Sequence, residues 1–304
     1  MLGLLLAAFV GRADAHQGLV LPWDPDDIDY AQASPDAWIA LDLHVSVLLG
    51  TLAFWVLYHR AVTTWRVRYG WSEVPVERWR AVCFGVAQVI LLLALNGPVH
   101  HLSDYYLFSG HMVQHLMLTL MWAPLTVVAL PPWLVEAGLR VPVIRRVSDW
   151  TADLRVKFLV ANGVLYFWHI PTMYDLALEV HEVHVVEHLS FMGSSIIAWV
   201  GLLCSAPSLP RPSRIFQLVY LFGMTLPMKL LGAILTLASE PIYGAYLEAP
   251  RIWGITPILD QGYGGLLMWL PGGMALWGSM IYVFVQWVKD EQATRVTPTV
   301  EGAS

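Results

Sequence analysis

The chain has 304 residues, of which 57% are hydrophobic and 13% are charged, with a formal net charge of −6 at pH 7. Soluble domains carry roughly 25% charged residues, so this composition excludes an ordinary soluble protein and predicts a chain that lies in a bilayer. The two cysteines, Cys83 and Cys204, form no closely spaced pair, which argues against a disulfide framework and against dithiol copper chemistry.

The first 15 residues have features of a secretory signal. An apolar run from Leu2 to Val10 is followed by Ala13-Asp14-Ala15, which fits an A-x-A cleavage site, although no Lys or Arg precedes the run. We therefore predict a signal peptide at 1–15 and an extracytoplasmic segment at 16–37.

Seven apolar stretches follow, each of about the 20 residues that a bilayer-spanning helix needs. They run approximately over 38–58, 81–99, 111–131, 157–178, 185–205, 214–238 and 264–288. The sequence therefore predicts an all-α, polytopic integral membrane protein with about seven transmembrane helices. These helices form one domain over 38–290, and a cytoplasmic tail follows at 291–304.

Basic residues predict the orientation of these helices. Cytoplasmic loops attract Lys and Arg, and 14 of the 17 basic residues lie in alternate connections or in the tail. The N-terminus is therefore predicted outside and the C-terminus in the cytoplasm. Ten of the 11 histidines then fall at the outer side: His16, His44, His100, His101, His111, His115, His169, His181, His184 and His188.

Two histidine pairs have metal-site spacing. His111 and His115 are four residues apart and share one helix face, and His184 and His188 repeat that spacing. His169 lies in a third motif, W-H-I-P, near the outer end of the fourth helix. Imidazole suits copper, zinc and iron, so these five histidines are predicted to bind a metal or haem. This requires the third and fifth helices to be adjacent.

Other polar residues near these motifs have simpler explanations. Glu187 or Gln114 is expected to hydrogen-bond a ligand imidazole from outside the metal site. His44, His100 and His101 are interpreted as hydrated residues of the membrane interface, and Asp260 as a solvated loop acid. The glycines that follow Asp260 are expected to permit close helix packing.

Four motifs together resemble the CtaG family of cytochrome c oxidase assembly factors. They are GHMVQHLMLTLMWAPLTVVALPP at 110–132, WHIPTMYDLAL at 168–178, HEVHVVEHLSF at 181–191 and LDQGYGGLLMWLPGG at 259–273. The resemblance covers most of 38–290. It implies a multi-pass protein of the bacterial plasma membrane that is needed to make active caa-type oxidase, through copper supply to the catalytic subunit. The positions that it carries over are His111, His115, His169, His184 and His188.

The predicted function is therefore that of an assembly factor, not an enzyme. It holds Cu(I) at an open, partly hydrated outer site and passes it to an oxidase subunit by ligand exchange. Three alternatives stay open: a bis-histidine haem protein for electron transfer, a copper-uptake permease, and a scaffold for oxidase assembly that binds no metal. The predicted partners are oxidase subunits and the lipid bilayer. Nucleic acid is not expected, because the basic residues are dispersed over the cytoplasmic face.

Overall fold

The computed structural model describes residues 43–209 and 211–296, and the regular elements within these ranges are all helices. The predicted signal peptide, the segment at 16–37 and most of the predicted tail lie outside the described residues. In chain order the helices are α1 (Val45–Arg60), α2 (Arg78–Leu95), α3 (Pro98–Tyr105), α4 (Phe108–Leu116), α5 (Ala123–Ala129), α6 (Pro132–Leu139), α7 (Pro142–Trp150), α8 (Leu154–Trp168), α9 (Pro171–Glu179), α10 (His181–Leu203), α11 (Arg214–Leu237), α12 (Ala245–Glu248), α13 (Pro257–Leu267) and α14 (Gly273–Val296).

Three π-helical stretches extend or join these helices. Ala61–Trp65 continues α1 to Arg68, Met117–Trp122 joins α4 to α5, and Met268–Gly272 joins α13 to α14. In the second stretch, the Thr119 carbonyl would pair with the amide five residues on, but that residue is Pro124, which has no N–H. Trp199 Nε1 on α10 donates to this carbonyl instead, at 2.9 Å.

The membrane character predicted from composition is confirmed. Six described segments are long and apolar enough to cross a membrane: Val45–Arg68, Arg78–Tyr105, Phe108–Ala129, His181–Leu203, Arg214–Leu237 and Pro257–Ala293. Large apolar side chains on their outer faces are more than half exposed, such as Leu49, Val82 and Leu237. Lipid is the solvent in which such faces are stable, so the chain is a polytopic membrane protein.

The fourth predicted stretch, 157–178, is not a single helix. The break between α8 and α9 precedes Pro171, because proline lacks an N–H and disfavours a helical conformation for the residue before it. With 15 residues, α8 is about 22 Å long, short of the roughly 30 Å of a hydrocarbon core.

The shorter helix α8 still runs antiparallel to α10 over most of its length. Lys157 near its start lies against Gly201, and Trp168 at its end donates through Nε1 to Ser190 Oγ at 2.7 Å. The chain therefore passes from one end of the bundle to the other along α10. The total of seven crossings stays a prediction.

Two glycines allow α11 and α13 to cross in direct backbone contact. A Cβ on Gly265 would lie 2.6 Å from the Gly232 carbonyl oxygen, and one on Gly232 would lie 2.7 Å from the Gly265 oxygen. A Cβ on the neighbouring Gly264 would overlap the Phe108 ring at the start of α4. The close packing predicted for the glycines after Asp260 is confirmed for Gly264 and Gly265, which bring α13 against α4 and α11, whereas a Cβ on Gly262 would have nothing within 4 Å.

The two ends of the bundle differ in chemistry. At one end, Arg80 donates to the carbonyls of Val128 and Leu130 after α5, and Arg211 donates to the Leu203 carbonyl at the end of α10. We call this the arginine end. The opposite end, where α4 and α10 begin, carries the histidines and is called the histidine end. Its assignment to the outer face stays a prediction.

Candidate metal centre

Two pairs of imidazoles face each other where α4 and α10 come together. Ring centroids within the pairs lie 4.2 and 4.4 Å apart. Between the helices, the His111 and His184 rings lie 5.5 Å apart, and the His115 and His188 rings 5.2 Å apart. All four residues are at most 8% exposed. The predicted adjacency of these helices is confirmed, and we call the four residues the histidine quartet: His111, His115, His184 and His188.

The carboxylate of Glu187 faces three of the four imidazoles of the quartet. Its Oε1 is 3.6 Å from His111 Nε2 and 3.7 Å from His115 Nε2, and its Oε2 is 4.0 Å from His184 Nε2. The residue is only 1% exposed. The α-helical turn from His184 to His188 places Glu187 on the same inner face of α10, and no hydrogen bond joins its carboxylate to an imidazole among the described residues. Whether it binds the metal or orients a ligand stays a prediction.

The distances from the Glu187 carboxylate to the imidazoles fit a shared metal ion better than hydrogen bonds, whereas His111 Nε2 and His115 Nε2 lie at hydrogen-bond distance, 2.9 Å. Distances of 3.6–4.0 Å between carboxylate and ring nitrogen exceed hydrogen-bond length. Two donors bound to one metal at about 2 Å lie about 3.3 Å apart at a tetrahedral angle and about 4 Å apart when opposite. The donor atoms of His111, His184 and Glu187 all lie within 4.8 Å of one another.

Buried polar atoms without hydrogen-bond partners are concentrated here. Such atoms are rare in folded proteins and mark functional sites or bound ions. Among the described residues, those of this centre that lack a hydrogen-bond partner are His111 Nδ1, His115 Nδ1, His184 Nε2, both ring nitrogens of His188 and both carboxylate oxygens of Glu187.

His169 lies beside the quartet and not within it. Its Nδ1 donates to the Leu165 carbonyl at 2.7 Å, and Nε2 has no hydrogen-bond partner among the described residues. The Tyr174 and Phe191 rings lie between it and the quartet, with ring distances of 6.2 and 6.4 Å from His169. His169 and His115 both line an apolar cavity of about 100 Å³.

A second group of polar residues adjoins the quartet at α3. His100 Nε2 lies 2.6 Å from His44 Nε2. The Asp104 carboxylate lies 3.4 Å from His100 Nδ1 and 3.7 Å from His184 Nδ1. His100 and His101 are each 6% exposed, so the interpretation of these two as hydrated interface residues is wrong. The cause is α3, which packs its histidines against α2 and α4 in a region predicted as a loop.

Gln114 links α3 to α4 through a polar network. Its amide lies 3.1 Å from His100 Nδ1 and donates to the Ala94 carbonyl, while its Oε1 accepts from Ser103 Oγ at 2.9 Å. It therefore contacts an imidazole as predicted, but one outside the quartet. Burial raises the pKa of the Tyr246 phenol, so this group stays protonated and donates to the Ser103 carbonyl at 2.9 Å.

Asp260 anchors the helix that carries His111 and His115. Its carboxylate accepts from the amides of Phe108 at 2.6 Å and Ser109 at 3.1 Å, and the residue is 3% exposed. The expectation of a solvated loop acid is wrong, because the free N–H groups and positive dipole at the start of α4 attract this carboxylate. Asp260 thereby fixes α4 against α13.

Comparison with known proteins identifies the family. The model of the family described as cytochrome c oxidase caa3 assembly factor (Caa3_CtaG) matches residues 56–290. No curated protein and no solved structure matches the chain. The matched range is most of the chain and contains the quartet, Glu187, Asp104 and Asp260, whereas His44 precedes it. The chain therefore belongs to the family of cytochrome c oxidase caa3 assembly factors.

Proposed function

We propose that this chain binds copper, as Cu(I), at the histidine quartet and delivers it to cytochrome c oxidase during assembly. Family membership supports the role in oxidase assembly. The observation that carries the metal is the cluster of four buried imidazoles and a buried carboxylate, in which most polar atoms lack hydrogen-bond partners. Copper is cargo in this proposal and not a resident cofactor.

The burial of Glu187 calls for a nearby positive charge. A buried carboxylate is costly unless it is paired, and the ion pairs found for Glu187 among the described residues are all with histidines. A metal cation bound by neutral imidazoles supplies that charge and uses the ring nitrogens as ligands. Imidazole is a good ligand for copper.

His169 is a further candidate ligand on the cavity side of His115. Because its Nδ1 donates to a carbonyl, its Nε2 is the nitrogen available to a metal. The same cavity is lined by four methionines whose thioethers favour Cu(I): Met112, Met224, Met228 and Met268.

The size of the cavities counts against a bis-histidine haem protein. Sites for ligands of drug or cofactor size are roughly 300 Å³ or larger. The two cavities that quartet residues line measure about 100 and 90 Å³. The Glu187 carboxylate also lies within 4.0 Å of Nε2 of His111, His115 and His184, where a macrocycle would need apolar space.

Cu(I) titration of the detergent-purified full chain against a chromogenic competitor tests this proposal. We expect the parent to bind copper, a variant with the four quartet residues changed to Ala to lose the copper held at the quartet, and His101→Ala to retain it. His101 is a matched control, because it is equally buried but contacts Tyr105 and Tyr106 instead of the quartet. Chromatographic profile and thermal unfolding check that each variant is folded.

Two outcomes contradict copper delivery. If neither parent nor variants bind copper, the metal role fails and a scaffold for oxidase assembly becomes the leading function. If the purified protein is coloured and has a Soret band, it binds haem. Deletion of the chain separates delivery from uptake. If cellular copper is unchanged and active oxidase is lost, the chain is not a copper-uptake permease.

A further inference from the structure

We propose a second copper position at the histidine end, formed by His44, His100 and Asp104, with His184 as the ligand that passes Cu(I) between this position and the quartet. The inference rests on the proposed function and extends it. We call the second group the outer triad, because it lies nearer than the quartet to the protein surface at the histidine end.

The first observation is the way in which His44 and His100 meet. Their Nε2 atoms lie 2.6 Å apart, and the Nε2 atoms of His111 and His115 in the quartet lie 2.9 Å apart. Two imidazoles whose Nε2 atoms meet at this distance share one proton. They hold one metal ion instead when the two Nε2 atoms move apart to about 3.3–4 Å. The same arrangement of paired imidazoles thus occurs twice, in adjacent places.

The second observation is that each pair has its own carboxylate. Asp104 Oδ1 lies 3.4 Å from His100 Nδ1, on the side of the ring away from His44, whereas Glu187 Oε1 lies 3.6 Å from His111 Nε2, the nitrogen that meets His115. Asp104 and the Gln114 amide both lie at Nδ1 of His100, at 3.4 and 3.1 Å, and together they hold the ring with Nε2 facing His44. Ser103 Oγ lies 2.7 Å from Asp104 Oδ1, within hydrogen-bond distance of this carboxylate.

The third observation is the position of His184 between the two groups. Its Nδ1 lies 3.7 Å from Asp104 Oδ2, and its Nε2 lies 4.0 Å from Glu187 Oε2. Its ring centroid is 6.4 Å from that of His100 and 5.5 Å from that of His111. The two nitrogens of one ring therefore face both carboxylates, and the imidazole can accept copper on one side and release it on the other.

A cavity connects the outer triad with the quartet. It measures about 90 Å³ and is lined by His44, His100, His181, His184 and His188. His44 and His181 are partly exposed, while the other three are buried. The quartet itself is at most 8% exposed, so the expected open, hydrated site is wrong for the quartet. This cavity is the histidine-lined route between that buried site and the surface.

Transfer along this route is ligand exchange without electron transfer. Copper stays Cu(I), and each new Cu–N bond forms as an old one breaks. His184 bonds through Nδ1 on the triad side and through Nε2 on the quartet side. When copper leaves Nδ1 of His184 for Nε2, the ring proton moves from Nε2 to Nδ1, so the imidazole stays neutral and no net proton is taken up or released. Glu187 faces Nε2 and Asp104 faces Nδ1, so each carboxylate lies beside the nitrogen that holds the proton while copper is on the other side.

The test counts copper ions bound by the detergent-purified full chain, with Cu(I) and a competing chelator as probes. We expect two equivalents for the parent, one for the His44→Ala/His100→Ala variant, and one for a His111→Ala/His115→Ala variant. Excess chelator should remove copper from the parent in two phases, of which the slow one empties the quartet. In the His44→Ala/His100→Ala variant, removal of the remaining ion should be at least 10-fold slower than that slow phase. The His44→Ala variant alone covers the case in which the double variant does not fold, because His44 is only partly buried.

The outcomes distinguish this inference from the proposed function. One equivalent in the parent, unchanged by loss of His44 but lost with His111 and His115, overturns the second position and leaves copper delivery intact. One equivalent that either change removes shows a single site built from both groups and also overturns it. No copper bound by the parent contradicts the proposed function itself.

Discussion

Replacement of Glu187 by glutamine separates a metal-binding role of this residue from a structural one. The change keeps the size of the side chain and removes one negative charge beside the quartet. We expect weaker copper binding but a more stable metal-free protein, because the carboxylate is 1% exposed and has no hydrogen-bond partner among the described residues. A purely structural carboxylate would give the opposite change in stability.

The magnitude follows from the observed separations. A cation within about 4 Å of the carboxylate, at an effective dielectric constant of about 20, gains about 4 kcal/mol, or about 1,000-fold in affinity. A carboxylate that acts only by orienting an imidazole contributes about 10- to 100-fold. We therefore expect a 10- to 1,000-fold rise in the Kd for Cu(I), and a metal-free protein stabilised by about 1–3 kcal/mol.

Competition titration and thermal unfolding of the metal-free protein measure these two effects. Glu182→Gln is the matched control, since Glu182 is an exposed carboxylate on the same helix. The reasoning is refuted if Glu187→Gln binds copper as tightly as the parent. It is also refuted if the variant unfolds at a lower temperature without metal, or if Glu182→Gln weakens binding equally.

Three further predictions concern the framework and the orientation of the site. Gly265→Ala should lower thermal stability, because the new Cβ would overlap the facing carbonyl, whereas Gly278→Ala, with nothing within 4 Å, should leave it equal or higher; equal effects of the two changes contradict the close crossing. Asp260→Ala should destabilise the chain by about 0.5–2 kcal/mol through loss of the helix cap, and it should weaken copper binding. The control Asp149→Ala removes an exposed ion pair and should change neither the stability nor the free energy of copper binding by more than about 0.5 kcal/mol. The orientation is tested with single cysteines in a background without the native cysteines. A Glu182→Cys variant should react with an impermeant maleimide in intact cells, and an Asp149→Cys variant only after permeabilisation. The reverse pattern would invert the predicted orientation.

The quartet could be predicted from sequence because its signal is local. Spacing of four residues places His111 with His115 and His184 with His188 on single helix faces, whatever the rest of the chain does. Whether the two pairs face each other depends on the tertiary structure, and they do so because α4 and α10 pack together. The position of Glu187 beside the histidines can be predicted too, since its spacing of three residues from His184 places it on the same helix face.

The outer triad and Asp260 could not be predicted in the same way. His100 and Asp104 lie on an eight-residue helix, too short to show a clear apolar period. The one local signal was Gly97-Pro98, where a glycine with φ of 73° precedes a proline in the first helical turn. The role of Asp260 depends on an amide 152 residues away, a contact that no periodicity encodes. The split of the fourth stretch, in contrast, was signalled by Pro171.

The π-helical stretch Met117–Trp122 sets the rotational phase of the histidines. A residue in an α-helix accounts for about 100° of rotation and 1.5 Å of rise, and a π turn accommodates one extra residue. If the same residues were wound as an uninterrupted α-helix, α4 would be turned by about 100° relative to α5, whose end is held by Arg80. His111 and His115 would then face away from α10, with every residue of the quartet still present in the chain.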